Sequence, residues 1–320
     1  MKQIFVADLK KDFEFTDFFM VRAVAVKTGS NNKQYLDIVL SDMSGEIIAK
    51  KWDVGEDELN ALKDIKEGSI VKIKGLVTEW NGTKQLRIQR IRLQADNDEI
   101  DLREFINAAP EPSKDMYAYI LTVAKGLKDE DFKKLCVCLL EKNEEKLMYY
   151  PAARKNHHAQ MGGLLYHMKR MLMTGERICE VYQNLDRDLV LTGVIIHDME
   201  KLNEILSDEY GISPGYSFEG KMLGHIIQGV KTIDALTLEM NFPREKAIML
   251  EHMILSHHYE PEFGSPKKPL FPEAEILHYL DMVDARMFDM EQALRNTEPG
   301  SFSERVFTLD NRQLYKPENR

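Results

Sequence analysis

The chain is poor in cysteine and tryptophan, lacks long apolar runs, and has no excess of positive charge. Its 320 residues include three cysteines, Cys136, Cys138 and Cys179, none in a CxxC pair. That excludes a disulfide framework and suits a reducing compartment, where buried, inert thiols are expected. No apolar run approaches the ~18 residues needed to cross a bilayer. The N-terminus, MKQIFVADLKKDFEF, has no apolar stretch of the kind a secretory signal carries. A cytoplasmic protein without membrane contact is the expectation. A net charge of −10 argues against a surface that grips nucleic acid everywhere. There is also no internal repeat and no low-complexity tract.

What is present divides in two. Residues 1–95 carry 16 Lys/Arg against 14 Asp/Glu, and the rest carries 27 against 39. In the first part FFMVRAVAVKTG, QYLDIVLSD, EIIAKKWDV, SIVKIKGLVTEW and KQLRIQRIRL alternate with period two, separated by turn residues. EDELNALKDI, between the third and fourth, reads as a short helix. That order is the order of an OB-fold, a small five-stranded barrel that often binds oligonucleotides. From Met116 onward the period is helical, running through seven amphipathic stretches. The fold class expected is therefore multidomain, β plus all-α. The OB-fold barrel spans 1–95, an acidic and then helical linker region 96–150, a helical bundle 151–298 and a C-terminal tail 299–320.

All nine histidines fall between positions 157 and 278. In GVIIHDMEKL, residues 193–202, an apolar run delivers His197, Asp198 and then Lys201. Read as one helix, Val190, Val194, His197, Asp198 and Lys201 share the face that should pack inward. Burying a carboxylate with an imidazole costs several kcal/mol unless partners or a metal satisfy them. Mixed N and O donors suit Mn, Fe, Zn or Ni better than Ca. His167 in GGLLYHM, His225 in MLGHII, His257 and His258 in MILSHH, and Asp281 and Asp284 in ILHYLDMVDA repeat the anomaly on separate helices. Several helices could thus aim one ligand each at a shared point.

The order His … His-Asp … His … His … Asp resembles the HD-domain metal-dependent phosphohydrolases, which are all-α. The resemblance implies His167, His197, Asp198 and Asp281 as the defining ligands, with His225 and His257 added in members that hold two metals. Joined to an N-terminal OB-fold, the motifs KNHHAQMGGLLYH, GVIIHDMEK, LGHIIQG, ILSHHYEPEFGSP and LHYLDMVDAR are similar to the YhaM family of bacterial 3′-to-5′ exoribonucleases, over nearly the whole chain. That family implies hydrolysis of single-stranded RNA, and sometimes single-stranded DNA, with one or two divalent ions per chain. Mn is the ion implied, with Mg, Fe, Co, Ni or Zn as others. It also implies a homo-oligomer. One departure is visible: where related proteins often have HD followed by Ile-Gly-Lys, this chain has Met199-Glu200-Lys201.

On this basis one metal is expected on His167, His197, Asp198 and Asp281. A second is expected on Asp198, His225 and His257 or His258, with Asp198 bridging. Lys201 is expected to steady the phosphate, with Arg154 and Lys155 as further phosphate contacts. Asp284 competes with Asp281, which the motif favours; Asp284 would then support a ligand. His157 and His158 either bind substrate or cap a helix, and His252 and His278 are expected to be structural. The barrel would capture the strand, with Lys50, Lys51, Lys72, Lys74, Lys84, Arg87, Arg90 and Arg92 attracting its backbone and Tyr35, Trp52 and Trp80 stacking bases. Two other functions compete. One is an HD phosphohydrolase of nucleotides or cyclic dinucleotides with a regulatory OB-fold; the other is a non-enzymatic nucleic-acid-binding regulator.

Overall fold

Alternating side chains close the first unit into a barrel. The computed structural model describes residues 2–29, 33–55, 58–59, 62–80, 82–154, 158–295 and 297–319, and separates into two units, Met1–Asn107 and Ala108–Arg320. In the first, β1 (Glu14–Thr28), β2 (Gln34–Asp42), β3 (Gly45–Lys51), β4 (Ile70–Trp80) and β5 (Thr83–Leu93) close in the order β1-β2-β3-β5-β4, a five-stranded OB-fold barrel. Closure depends on β1 serving two partners. Its Glu14–Met20 segment pairs with β4 and Met20–Thr28 with β2, and the register shifts between Val21 and Ala23. A bulge of this kind bends a strand. Every second residue then points inward: Phe19, Val21, Ile38, Leu40, Ala49, Ile73, Val77 and Leu86 are buried. The helix expected over 56–65 falls in part on residues outside those described.

The second unit is helical: α1 (Ser113–Lys125), α2 (Glu130–Lys142), α3 (Glu144–Leu147), α4 (Gly163–Val181), α5 (Arg187–Ile196), α6 (Lys201–Glu204), α7 (Phe218–Glu239), α8 (Arg244–Ser256) and α9 (Pro272–Arg295). A two-residue pairing of β6 (Ile205–Leu206) with β7 (Gly215–Tyr216) separates α6 from α7. Residues Asp188 to Ile196 of α5 are all buried, and α5 packs against α2, α4, α8 and α9. A helix apolar all round belongs in a core. None of the described helices is long and apolar enough to cross a membrane.

Two expectations are corrected here. The 96–150 region is not a linker: the units divide at Asn107/Ala108. Met116 and Ile120 of α1 and Leu135 and Leu140 of α2 are buried in one cluster with Leu164 and Val190. Their apolar stripes are satisfied by helices that lie much later in the chain. Second, no single helix spans 187–202. α5 stops at Ile196, and the amides of Met199, Lys201 and Leu202 bond to carbonyls three residues back, at 3.3, 3.0 and 3.2 Å. These are tight turns of the 3₁₀ kind. The tail folds back within this unit, with Leu309 buried and Asp310 paired to Arg286 of α9 at 2.8 Å.

Candidate metal centre and nucleic-acid interface

The end of α5 makes the first candidate ligand. His197 Nδ1 donates to the Val194 carbonyl at 2.8 Å, filling an acceptor that the helix end would leave open. A carbonyl can only accept, so Nδ1 carries a proton and Nε2 is the nitrogen turned towards Asp198. The same device ends α8, where His257 Nδ1 donates to the Ile254 carbonyl at 2.7 Å. His258 Nδ1 donates to the Phe263 carbonyl at 2.6 Å. Carboxylates serve the other two rings: His167 Nδ1 donates to Asp284 at 2.7 Å, and His225 Nδ1 to Glu204 at 3.0 Å. Each ring thereby turns Nε2 away from the partner that holds its Nδ1, the orientation metal-ligating histidines adopt.

Asp198 lies where these nitrogens meet. Its Oδ2 is 3.3 Å from His197 Nε2 and 3.8 Å from His167 Nε2, while Oδ1 is 3.4 Å from His225 Nε2 and 3.8 Å from His257 Nε2. One oxygen thus faces His197 and His167 and the other His225 and His257. His167, His197 and Asp198 form the inner trio, and His225, His257 and His258 the outer; within each, the ligand atoms lie within 4.8 Å of one another. Asp281 Oδ1 joins the inner group, 3.4 Å from His167 Nε2. Nε2 of His197, His225 and His257 and Oδ1 of Asp198 are buried without a hydrogen-bond partner among the described residues. Each such atom costs about 1–3 kcal/mol, so four at one point cost on the order of a domain's whole stability.

Charge follows the geometry. Burial opposes ionisation of Asp198, but Lys201, His197 and His225 overcome it and hold the carboxyl well below the ordinary range. Burial, with His258 and His197 beside it, pushes His257 well down, so its ring is neutral. Burial likewise disfavours a charge on His167, yet the carboxylates of Asp281 and Asp284 outweigh it and raise the ring to about 10.

The barrel's candidates separate into two groups. Tyr35 and Trp52 stack with ring centroids 4.5 Å apart and 30° between planes, and Lys50 Nζ lies 5.7 and 5.5 Å from the two rings. Lys50 is registered with exposed Arg87 across β3 and β5. Lys72 and Lys74 belong to another row, opposite Arg92 and Arg90 of β5. Lys72 lies over Phe18 at 4.8 Å, and Lys74 is paired with Glu14 at 3.0 Å. Trp80 ends β4; its side chain, like Lys155 and His157, lies outside the described residues. In the helical unit, exposed Arg154 stands 5.9 Å from the Tyr216 ring.

Residues 164–286 match the HD domain. They take in His167, His197, Asp198, His225, His257, His258, Asp281 and Asp284. Residues 20–94 match the family model of the tRNA-anticodon type, an OB-fold nucleic acid binding domain. An HD domain indicates a metal-dependent phosphohydrolase, so the chain joins a nucleic-acid-binding barrel to a hydrolytic domain. Solved structures similar to this chain include a domain of replication protein A from Methanococcus maripaludis, 22% identical over 28% of this chain and 92% of that one, TM-score 0.24. Another is the mitochondrial single-stranded DNA binding protein Rim1 of S. cerevisiae, 15% identical over 28% and 100%, TM-score 0.24. A third is a replication factor A related protein of Methanobacterium thermoautotrophicum, 16% identical over 31% and 96%, TM-score 0.25.

The donor set of the HD domain fits a divalent cation. Converging imidazole nitrogens and carboxylate oxygens, desolvated and oriented by their second bonds, are what Mn, Fe, Co, Ni or Zn take. His167, His197, Asp198 and Asp281 would hold an ion on one side, and Asp198, His225, His257 and His258 one on the other. Lys201 does not stand free for a phosphate: its buried Nζ lies 2.6 Å from Asp198 Oδ2. Asp284 is set back as a support, accepting from His167 Nδ1 and His158 Nε2 at 2.7 Å each and pairing with Arg170 at 2.6 Å. His158, which precedes the matched residues, thereby shares the carboxylate that holds His167. His278 Nδ1 donates to the His257 carbonyl at 2.7 Å, and His252 accepts from the Leu270 amide at 3.0 Å. Met199 is core, and Glu200 accepts from Thr232 at 2.7 Å, tying this turn to α7. Of the cysteines only Cys136 is buried, its thiol pushed up by burial to about 12.

Proposed function

We propose that this chain is a metal-dependent 3′-to-5′ exoribonuclease of the YhaM type, releasing nucleoside monophosphates from single-stranded RNA and accepting single-stranded DNA. The reading places it in the cytoplasm as a homo-oligomer. Its main support is Asp198, buried with one oxygen towards His167 and His197 and the other towards His225 and His257. A bound divalent cation supplies charge for the phosphoryl oxygens and lowers the pKa of a water at neutral pH. The chain's own residues prepare that site. Lys201 keeps Asp198 ionised and fixed in direction. The carbonyls of Val194 and Ile254 and the carboxylates of Asp284 and Glu204 hold four rings by Nδ1. Exposed Arg154 offers charge to the phosphate backbone. On the barrel, Tyr35 and Trp52 give bases a stacking surface, and Lys50 and Arg87 attract phosphates beside it.

The deciding experiment incubates single-stranded RNAs labelled at the 3′ or the 5′ end with Mn and either wild type or Asp198→Ala. Mononucleotide from the 3′ label and a ladder from the 5′ label, both lost in the variant, are expected. Intact RNA alongside hydrolysed nucleotides or cyclic dinucleotides would replace the proposal with the small-substrate phosphohydrolase. RNA bound but never cut, with no nucleotide hydrolysed, would leave a binding regulator.

A further inference from the structure

His225 and Glu204 come from segments fastened to each other. The Ser217 amide donates to the Glu204 carbonyl at 2.9 Å, Ser217 Oγ to the Asn203 carbonyl at 2.7 Å, and the Gly220 amide to Ser217 Oγ at 2.8 Å. β6 and β7 extend this seam, with Ile205 opposite Tyr216 and Leu206 opposite Gly215. The backbones approach so closely that a Cβ on Gly220 would stand 2.3 Å from the Glu204 carbonyl oxygen. Gly224 then takes φ 67°, ψ 166°, a left-sided conformation open to glycine, and breaks α7 one residue before His225. Across the break, His225 Nδ1 donates to Glu204 Oε2 at 3.0 Å. Within the outer trio, His257 and His258 lean on main-chain carbonyls, whereas His225 leans on a side chain.

From this geometry we infer that Glu204 is the positioning residue of His225, setting the divalent-cation affinity of the outer trio separately from that of the inner one. The inference rests on the metal-centre reading above. Glu204 fixes the Nδ1–H tautomer, aims Nε2 at Asp198 Oδ1, and through its negative charge makes the ring a stronger donor. Asp284 does the same for His167 in the inner trio, so the two trios are tuned by different carboxylates.

The test measures Mn binding to the metal-stripped full chain, by the electron paramagnetic resonance signal of free Mn, for wild type, His225→Ala, Glu204→Ala and Glu204→Gln. Melting of the stripped proteins reports on folding. Glu204→Ala is expected to weaken one class of Mn binding by about 10–100-fold, in the direction of His225→Ala. Glu204→Gln, which still accepts from Nδ1 but lacks the charge, is expected to fall between. The stripped melts are expected to coincide. A Glu204→Ala isotherm that superimposes on the wild type's overturns the inference. So does a weakening that tracks a lowered melting temperature and is equal in Glu204→Gln. Because Mn binding is read directly, failure to find RNA hydrolysis would sink the nuclease proposal and leave this one standing.

Discussion

In the barrel, Trp52 is 46% exposed and shares its face with Tyr35, Lys50 and Arg87; in the helical unit, His167 and His257 are 0% exposed and Asp198 1%. The polar groups of that barrel face meet water, so their positions need little support. Those of the candidate metal centre are desolvated, and its five histidine rings each have a second bond that fixes them. The difference follows from what each surface must do. A face that takes any base of a flexible strand works by stacking and charge, which tolerate imprecision. A centre that gathers like-signed carboxylates and aimed nitrogens tolerates little, because each misplaced group is left buried and unsatisfied.

The comparison can be broken at several strengths. The largest effect is expected at Asp198: alanine there should lower hydrolysis by more than about 100-fold, the upper size seen for mere supporting residues, while RNA affinity measured in a chelator stays unchanged. An RNA affinity that fell equally would erase the division of labour. Next, Mn at 100 times its dissociation constant should stabilise the metal-stripped protein by about 2.7 kcal/mol. That is a rise of about 5–10 °C in the helical transition by calorimetry, for a domain of this size. A barrel transition that rose with it would be the contrary result. Trp52→Ala should weaken single-stranded RNA binding by roughly 5- to 150-fold, as one stacked base is worth, with hydrolysis of a dinucleotide unaltered. Smallest, Arg87→Gln should flatten the salt dependence of RNA binding by about 0.7 in log–log slope, one phosphate contact fewer on a single strand. Lys74→Gln, whose ammonium is already engaged by Glu14, should leave that slope alone.

The barrel was legible because its signal is local. QYLDIVLSD coincides with β2 residue for residue, since period two depends only on neighbours. The histidine positions were legible as charges on apolar stripes, and the HD order tied them together. Less could be read where the decisive partner is distant or on the backbone. GVIIHDMEKL has a helical pattern throughout, yet α5 ends at Ile196, where the His197 ring occupies a carbonyl. Nothing in the spacing announces that bond. Glu204 was not singled out, because a carboxylate ending KLNE reads as a solvated surface group; its meaning arrives with Gly224 and His225. His158, open between capping and substrate binding, proves to share Asp284 with His167. The linker expectation for 96–150 failed for the same reason, since the core that α1 and α2 join is built by later helices.

That α5 and α8 each terminate at a histidine of the candidate metal centre has a consequence beyond ring orientation. The His197 and His257 rings lie 5.1 Å apart, so the carboxyl-terminal ends of two helices converge on one spot. Aligned peptide units put partial negative charge at such ends, worth about 0.3–1 kcal/mol each to a nearby cation. Cation attraction is therefore written partly into the main chain, where no side-chain replacement can delete it. Single ligand variants should accordingly retain a weak residual affinity for divalent ions instead of losing it outright.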